Sequence, residues 1–281
     1  MREIFVLKII FFIKYRLTMI ELIKKECKNG IKMKNMKYMM NCMPKLIGQD
    51  DTYGIFIYII NYENIDALDL LIDTCNKYDI NYNIRQIFYT LVSGPDNIKL
   101  LDYFIKKFKY INFINYDIIE LACMRKKSIN VLKFMWDLGN KIDLHHDNDF
   151  LFIHSARYGH IDHIRWMFDI DEFAENICQD GKEEAFQYAC SNGHLDIAKL
   201  IFNRFKMNIH YSDEWPFRSA CNCGRMEIIK WLWEISNKTI DIRIMNDWAF
   251  NVACECEEYE VIEWLWQTMS GTPPRYCRLA K

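Results

Sequence analysis

The sequence has little proline and glycine, and it has no long uninterrupted apolar run. Five Pro and ten Gly among 281 residues are too few for a disordered or linker-rich chain. The apolar stretch at residues 4–13 is interrupted by Lys8, and it is shorter than the roughly 20 residues that cross a bilayer. We therefore expect a folded chain with a large core and no membrane span.

Recognisable catalytic signatures are also missing. The sequence has no phosphate-cradling glycine loop, no Gly-x-Ser-x-Gly and no His-Glu-x-x-His. Its eleven Cys show no spacing typical of a secreted disulfide scaffold. We predict a non-enzymatic protein of a reducing, intracellular compartment, without a cofactor or a metal.

The cysteines permit one competing hypothesis, a zinc site. Cys221 and Cys223 form a Cys-x-Cys pair, as do Cys254 and Cys256, but structural zinc usually takes spacers of two to four residues. The side chains of two residues that are two positions apart on a helix point about 200° away from each other. Cys190 shares the place of Cys221 and Cys254, so we interpret these residues as small core residues.

What the sequence does contain is a repeat. Seven apolar positions, each predicted to open the second helix of a unit, follow one another at separations of 31 to 34 residues. These anchors are Ile65, Ile98, Ile129, Ile161, Leu195, Met226 and Tyr259. A fixed period of this length indicates stacked repeats, in which each unit buries its apolar face against its neighbours.

Apart from His163, each second helix carries apolar residues at the anchor and at two, three, five, six and seven places beyond it. So wide an apolar face predicts a helix buried on most sides. On this pattern we expect Leu200 to be buried and Lys199 to be exposed. His163 lies two places after an anchor, where a core histidine is the simpler interpretation than a ligand.

The turn before the anchor carries the most specific motif. It includes Gly159-His160, Gly193-His194 and Gly224-Arg225, and Glu257-Glu258 replaces the pair in the last unit. The glycines suit the end of a helix. This motif, with two helices and a loop per unit, resembles the ankyrin repeat over about residues 50–275. The usual Thr-Pro-Leu-His is absent. The Trp-Leu-Trp endings of the second helices and the bias toward Lys, Asn and Ile are similar to ankyrin proteins of giant amoeba viruses.

The resemblance implies an all-α fold, an ankyrin-type helical repeat solenoid of about seven helix-turn-helix units with extended loops. We assign a hydrophobic and basic extension to residues 1–17, a helical cap to 18–49, the repeat array to 50–275 and a tail to 276–281. The units are expected at 50–82, 83–115, 116–146, 147–180, 181–212, 213–244 and 245–275. For residues 1–17, membrane targeting and an over-extended start (with Met19 as the true start) are the alternatives to an extension.

The resemblance further implies a scaffold that binds a protein partner through its loop tips and first helices. Residues 1–46 carry a net charge of about +8, and the rest of the chain is acidic, which argues against nucleic acid as the partner. We expect an intracellular monomer, in the cytoplasm of a host cell. The alternative is an adaptor that recruits a target to a host machine such as a ubiquitin ligase.

Exposed loops that differ between units are where a rigid scaffold usually places its specificity. We predict that six loop-tip residues lie on one edge of the array and contact the partner: His145, His146, His210, Tyr211, Arg243 and Met245.

Overall fold

A computed structural model describes residues 49–94, 96–109, 116–124, 129–138, 143–170 and 172–269, together with Glu21 and Lys25. The predicted extension at 1–17, nearly all of the predicted cap and the tail at 276–281 lie outside these residues. The chain divides into two compact units, Met1–Asn140 and Lys141–Lys281. None of the described helices is long and apolar enough to cross a membrane.

Every regular element in the described ranges is a helix. Unit 1 contains α1 (Gln49–Asn61), α2 (Ile65–Lys77), α3 (Ile84–Ser93), α4 (Ile98–Phe108), α5 (Tyr116–Cys123) and α6 (Ile129–Asp137). Unit 2 contains α7 (His146–Tyr158), α8 (Ile161–Phe168), α9 (Phe173–Asn176), α10 (Gln179–Asn192), α11 (Leu195–Phe205), α12 (Tyr211–Asn222), α13 (Met226–Ile235), α14 (Ile244–Glu255) and α15 (Tyr259–Thr268).

The helices form successive pairs that stack. The first helices of the pairs contact one another in order, α1 with α3 and α3 with α5 in unit 1, and α7, α10, α12 and α14 in unit 2. Each first helix also contacts the second helix of its own pair. All seven predicted anchors are the first residues of second helices, so the predicted helical repeat architecture is confirmed.

The sequence explains where two of the second helices of unit 1 begin. Asn64 and Asn97 precede α2 and α4, and their side chains accept hydrogen bonds from the backbone N–H groups of Ala67 (2.8 Å) and Leu100 (2.9 Å). This satisfies one of the four donors that a helix start leaves open.

The buried stripe of each second helix is narrower than the apolar pattern predicts. Positions two and six beyond the anchor are buried in all seven units. The position five beyond the anchor is only partly buried in every unit, so the prediction that Leu200 is buried was wrong. Its neighbour Ile201 is fully buried, and Lys199 is exposed as expected.

The partly buried positions hold large side chains that pack between neighbouring second helices. Trp231 meets Phe202 edge-on with ring centroids 5.7 Å apart, and Trp264 meets Trp233 in the same way at 5.9 Å. These edge-to-face contacts join α13 to α11 and α15 to α13, and such aromatic pairs contribute about 0.5–1.5 kcal/mol beyond their buried area.

Small residues let the first helices approach their neighbours. Ala189, Cys190, Ala220 and Cys221 are fully buried, and burial raises the pKa of the Cys190 and Cys221 thiols because the thiolate is disfavoured in an apolar surrounding. The interpretation of these two cysteines as core residues is confirmed, whereas Cys254 is half-buried.

His163 is a core histidine, as predicted. It is 1% exposed, and its Nδ1 lies 3.5 Å from the Ser155 hydroxyl. Burial lowers its pKa to about 3, with a smaller contribution from His160, so the ring is neutral at physiological pH.

Two causes require glycine in the turns. Gly159, Gly193 and Gly224 have φ of 78°, 82° and 66°, the left-handed region that glycine enters at little cost. Each is also covered by a side chain from the next turn, and a Cβ on Gly159 would lie 2.6 Å from the ring of His194. His194 completes this contact by placing its Nε2 3.1 Å from the Arg157 carbonyl.

Candidate protein-binding surface

Three loop tips in unit 2 share a short left-handed turn at the start of the first helix. Its three consecutive residues all have positive φ: Asp147 to Asp149 in α7, Ser212 to Glu214 in α12, and Met245 to Asp247 in α14. Outside glycine this conformation is costly, and Asn and Asp tolerate it best. Such a turn persists only where surrounding contacts hold it.

The third residue of each turn is a buried carboxylate paired with the residue four places earlier. The His145 ring Nδ1 lies 2.5 Å from Asp149 Oδ1, and the His210 ring Nδ1 lies 2.8 Å from Glu214 Oε1. In the last unit an Arg243 guanidinium nitrogen donates to Asp247 Oδ1 at 3.1 Å. Asp149 and Asp247 are only 2% and 1% exposed, and a buried carboxylate needs such partners to offset its lost hydration.

The same carboxylates connect neighbouring repeats. Asp149 Oδ2 accepts a hydrogen bond from the Cys178 backbone N–H at 2.9 Å, and Glu214 Oε1 accepts from the Asp241 N–H at 3.3 Å. Gly181 follows Cys178 in the next unit, and a Cβ on Gly181 would lie 2.7 Å from Asp149 Oδ2. The absence of a side chain at Gly181 therefore leaves room for the Asp149 carboxylate.

Side chains from within the first helices hold the turn carbonyls. Arg218 donates from Nε to the Asp213 carbonyl at 2.6 Å and from a terminal nitrogen to the Ser212 carbonyl at 3.0 Å. In the next unit the Asn251 amide donates to the Asn246 carbonyl at 3.0 Å. The turns are thus fixed on both sides, which makes these loop tips a rigid part of the scaffold.

The six predicted contact residues fall into two groups. His145, His210 and Arg243 occupy one equivalent position and hold the buried carboxylates, so each has a structural role that the sequence did not reveal. His146 and Met245 are exposed. Tyr211 is half-buried, and its hydroxyl donates to the Glu183 carbonyl at 3.1 Å.

Two of the six, Tyr211 and Met245, line a groove of about 570 Å³ between first helices. Its lining comes from α10 and α12, together with Met245 from the loop tip of α14. The lining residues are Asp180, Glu183, Glu184, Gln187, Tyr188, Tyr211, Ser212, Asp213, Trp215, Arg218 and Met245. His145, His146, His210 and Arg243 are not among them.

The groove is acidic. Four carboxylates line it, at Asp180, Glu183, Glu184 and Asp213, and none of them forms an ion pair with any residue in the described part of the chain. Gln179 donates a hydrogen bond to Glu183 Oε1 at 2.7 Å, which leaves the charge of Glu183 in place.

Arg218 is the one basic residue in the lining, and its guanidinium is buried against other groups of the protein. It is 5% exposed and lies between the Trp215 and Trp248 rings, 5.0 Å from each centroid. Together with its two backbone hydrogen bonds, these cation–π contacts satisfy the guanidinium. The charge offered to a ligand in this groove is therefore negative.

Sequence reasoning missed the α10 side of this groove, although a signal was present. Asp180, Glu183, Glu184 and Gln187 recur at the three- and four-residue spacing that places side chains on one face of a helix. Of these four residues only Glu183 has a carboxylate at the equivalent place in the neighbouring units, so a search for positions that are alike in every unit does not reveal this acidic face.

The stacked helix pairs define a helical repeat protein. Residues 119–213 match the family model of ankyrin repeats, in 3 copies, so the ankyrin-type class inferred from the turn motif is confirmed for this stretch. Ankyrin repeats are generally protein–protein interaction modules. A comparison with curated proteins gave no match.

Proposed function

We propose that this chain is a non-enzymatic scaffold that binds a protein partner through the groove between α10 and α12 and the adjacent loop tips. The observation that carries the proposal is the groove itself, which presents half-buried aromatic side chains and carboxylates on rigidly fixed helices. Aromatic residues in a concave, well-supported surface are typical of binding hot spots.

The packing of the repeats supports the choice of face. The buried stripes and the large side chains of the second helices are engaged with neighbouring helices. The groove side of α10 instead carries polar and aromatic residues that are partly or fully exposed. A partner that docks there does not compete with the contacts that stabilise the stack.

We further propose that the protein acts as an intracellular monomer in the cytoplasm of a host cell, that it is similar to the ankyrin repeat proteins of giant amoeba viruses, and that nucleic acid is not its ligand. The acidic repeat region supports the last point. The adaptor hypothesis depends on residues 1–46, of which only Glu21 and Lys25 are among the described residues, and the proposal does not require it.

Affinity purification followed by mass spectrometry tests the proposal with three forms of the full chain. The wild type is compared with Glu184→Ala/Met245→Ala, which alters two exposed groove residues, and with Lys199→Ala/Lys230→Ala, which alters two exposed residues of second helices. We expect one protein to be retained by the wild type and the lysine variant and lost from the groove variant.

A partner lost from the lysine variant and kept by the groove variant would place the binding face on the second helices. Alanine replacement of all six predicted contact residues is not a clean test, because three of them hold buried carboxylates and their loss would destabilise the fold.

A further inference from the structure

We propose that the groove between α10 and α12 takes a cationic, extended segment of the partner protein, in which Lys or Arg side chains lie among its carboxylates and aromatic rings. This inference rests on the proposed function and adds the chemical class of the bound segment.

The charge of the groove favours a cationic segment. Asp180, Glu183 and Glu184 follow one face of α10, and Asp213 stands opposite them at the loop tip of α12. None of the four carboxylates forms an ion pair among the described residues. Lys182 on α10 places its Nζ 5.0 Å from the centroid of the Phe205 ring, and Arg218 lies between two indole rings. Complementary charge of this kind favours a basic partner and speeds its association.

The aromatic lining of the groove favours a cationic segment independently of the charge. Tyr188, Tyr211 and Trp215 are each half-buried in the groove. The chain already uses such rings for cations, since the Arg157 guanidinium lies 5.0 Å from the centroid of Tyr188 and Arg218 lies 5.0 Å from that of Trp215. An aromatic ring beside a carboxylate binds Lys or Arg through its π face and through the charge together.

The size of the groove favours an extended segment. A volume of about 570 Å³ falls within the range of pockets that enclose a small ligand. It suits a few side chains of an extended segment. A folded domain could not enter it, so the cationic segment must project from the partner.

The test measures binding of a fluorescein-labelled peptide of about twelve residues, alternating Lys or Arg with Ala, to the full chain by fluorescence anisotropy. The groove variant is Asp180→Asn/Glu183→Gln/Glu184→Gln. The matched control, Asp196→Asn/Glu227→Gln/Glu260→Gln, removes the same charge from exposed first-turn carboxylates of α11, α13 and α15. Circular dichroism verifies that both variants are folded.

We expect the groove variant to weaken the Kd of the peptide at least tenfold and the control to change it less than about twofold. Equal weakening by both variants would show that the peptide senses net charge alone and would overturn the inference. So would the absence of peptide binding to the folded wild type.

A zero-length carbodiimide cross-linker separates two possible occupants of the groove. Coupling of Asp180, Glu183 or Glu184 to a lysine of the peptide supports the inference. Coupling of the same carboxylates to lysines of residues 1–46 in the monomer, in place of the peptide, would show that the chain fills its own groove and would overturn it.

The two proposals fail in different ways. If a protein partner is captured through the groove but the peptide does not bind, the partner segment is not cationic and only the present inference is lost. If capture does not depend on the groove, the proposed function itself is wrong.

Discussion

The buried Asp149 carboxylate is expected to stabilise unit 2 far more than its neighbour Asp147, although both are loop aspartates in the same left-handed turn. Asp149 is 2% exposed and accepts from His145 Nδ1 at 2.5 Å and from the Cys178 N–H at 2.9 Å. Asp147 is exposed. Replacing either by Asn keeps the side-chain shape and the tolerance for positive φ, so the comparison isolates the charge and the second acceptor.

The expected loss in the free energy of unfolding follows from these contacts. A hydrogen bond to a charged group contributes about 1.5–3 kcal/mol, and leaving a buried donor without an acceptor costs about 1–3 kcal/mol. The amide of Asn keeps one acceptor oxygen for one of the two donors. His145 is about a third exposed (32% for its side chain), so solvent screens that part of the interaction. We expect Asp149→Asn to cost about 2 kcal/mol and Asp147→Asn less than about 0.5 kcal/mol.

Urea unfolding followed by tryptophan fluorescence is the assay. Seven of the eight Trp lie within Lys141–Lys281, so the signal reports chiefly on unit 2. In thermal unfolding, a loss of about 2 kcal/mol should lower the Tm of Asp149→Asn by about 4–8 °C. Equal shifts for the two variants would refute the reasoning, because they would show that the carboxylate does not connect α7 to the start of α10.

Three further predictions test the packing. Ile201→Ala should lower the free energy of unfolding by about 2–5 kcal/mol, and Leu200→Ala by less than half as much because Leu200 is half-exposed; similar losses in urea unfolding would contradict this helix register. Gly193→Ala should destabilise by about 1–2 kcal/mol, since φ is +82° and a Cβ would lie 3.0 Å from a side-chain carbon of the next turn. Gly54 lies in the interior of α1 with open space around it, so Gly54→Ala should stabilise the fold by about 0.5–1 kcal/mol. Melting curves in which Gly54→Ala is the less stable of the two variants would be inconsistent with the structure. The pKa of His163 is lowered to about 3 in the folded state, so protons bind more readily to the unfolded chain and stability is lost as pH falls below about 6.5. Between pH 7 and pH 5 this residue should cost about 2 kcal/mol; His163→Val, which matches the apolar residues at this position in other units, should lack that part of the pH dependence, and an unchanged pH dependence would show that His163 is not a neutral core residue.

The sequence determined the repeat and its phase. The first residue of every second helix could be assigned because an apolar anchor returns at nearly constant spacing, and because helix geometry ties each buried position to that anchor. The turn glycines could be assigned for the same local reason, since a positive φ at the end of a helix depends on the chain a few residues either side.

Burial within the second helices could not be determined in this way. An apolar residue at position five beyond the anchor is as compatible with a core as with a seam between neighbours, and only the stacking geometry left Leu200 and its equivalents half-exposed. An apolar side chain is compatible with burial, but the distance to the adjacent helix decides how much of that side chain is exposed to water.

The candidate binding surface depended most on tertiary structure. His145, His210 and Arg243 look like free loop residues in the sequence, yet folding returns the chain so that each meets a buried carboxylate of its own turn, and two of these carboxylates accept from the next repeat. The groove likewise joins Glu183 and Met245, which are far apart in the sequence. Contacts between repeats are set by how one unit stacks on the next, and that packing is a property of the assembled core, which no local pattern encodes.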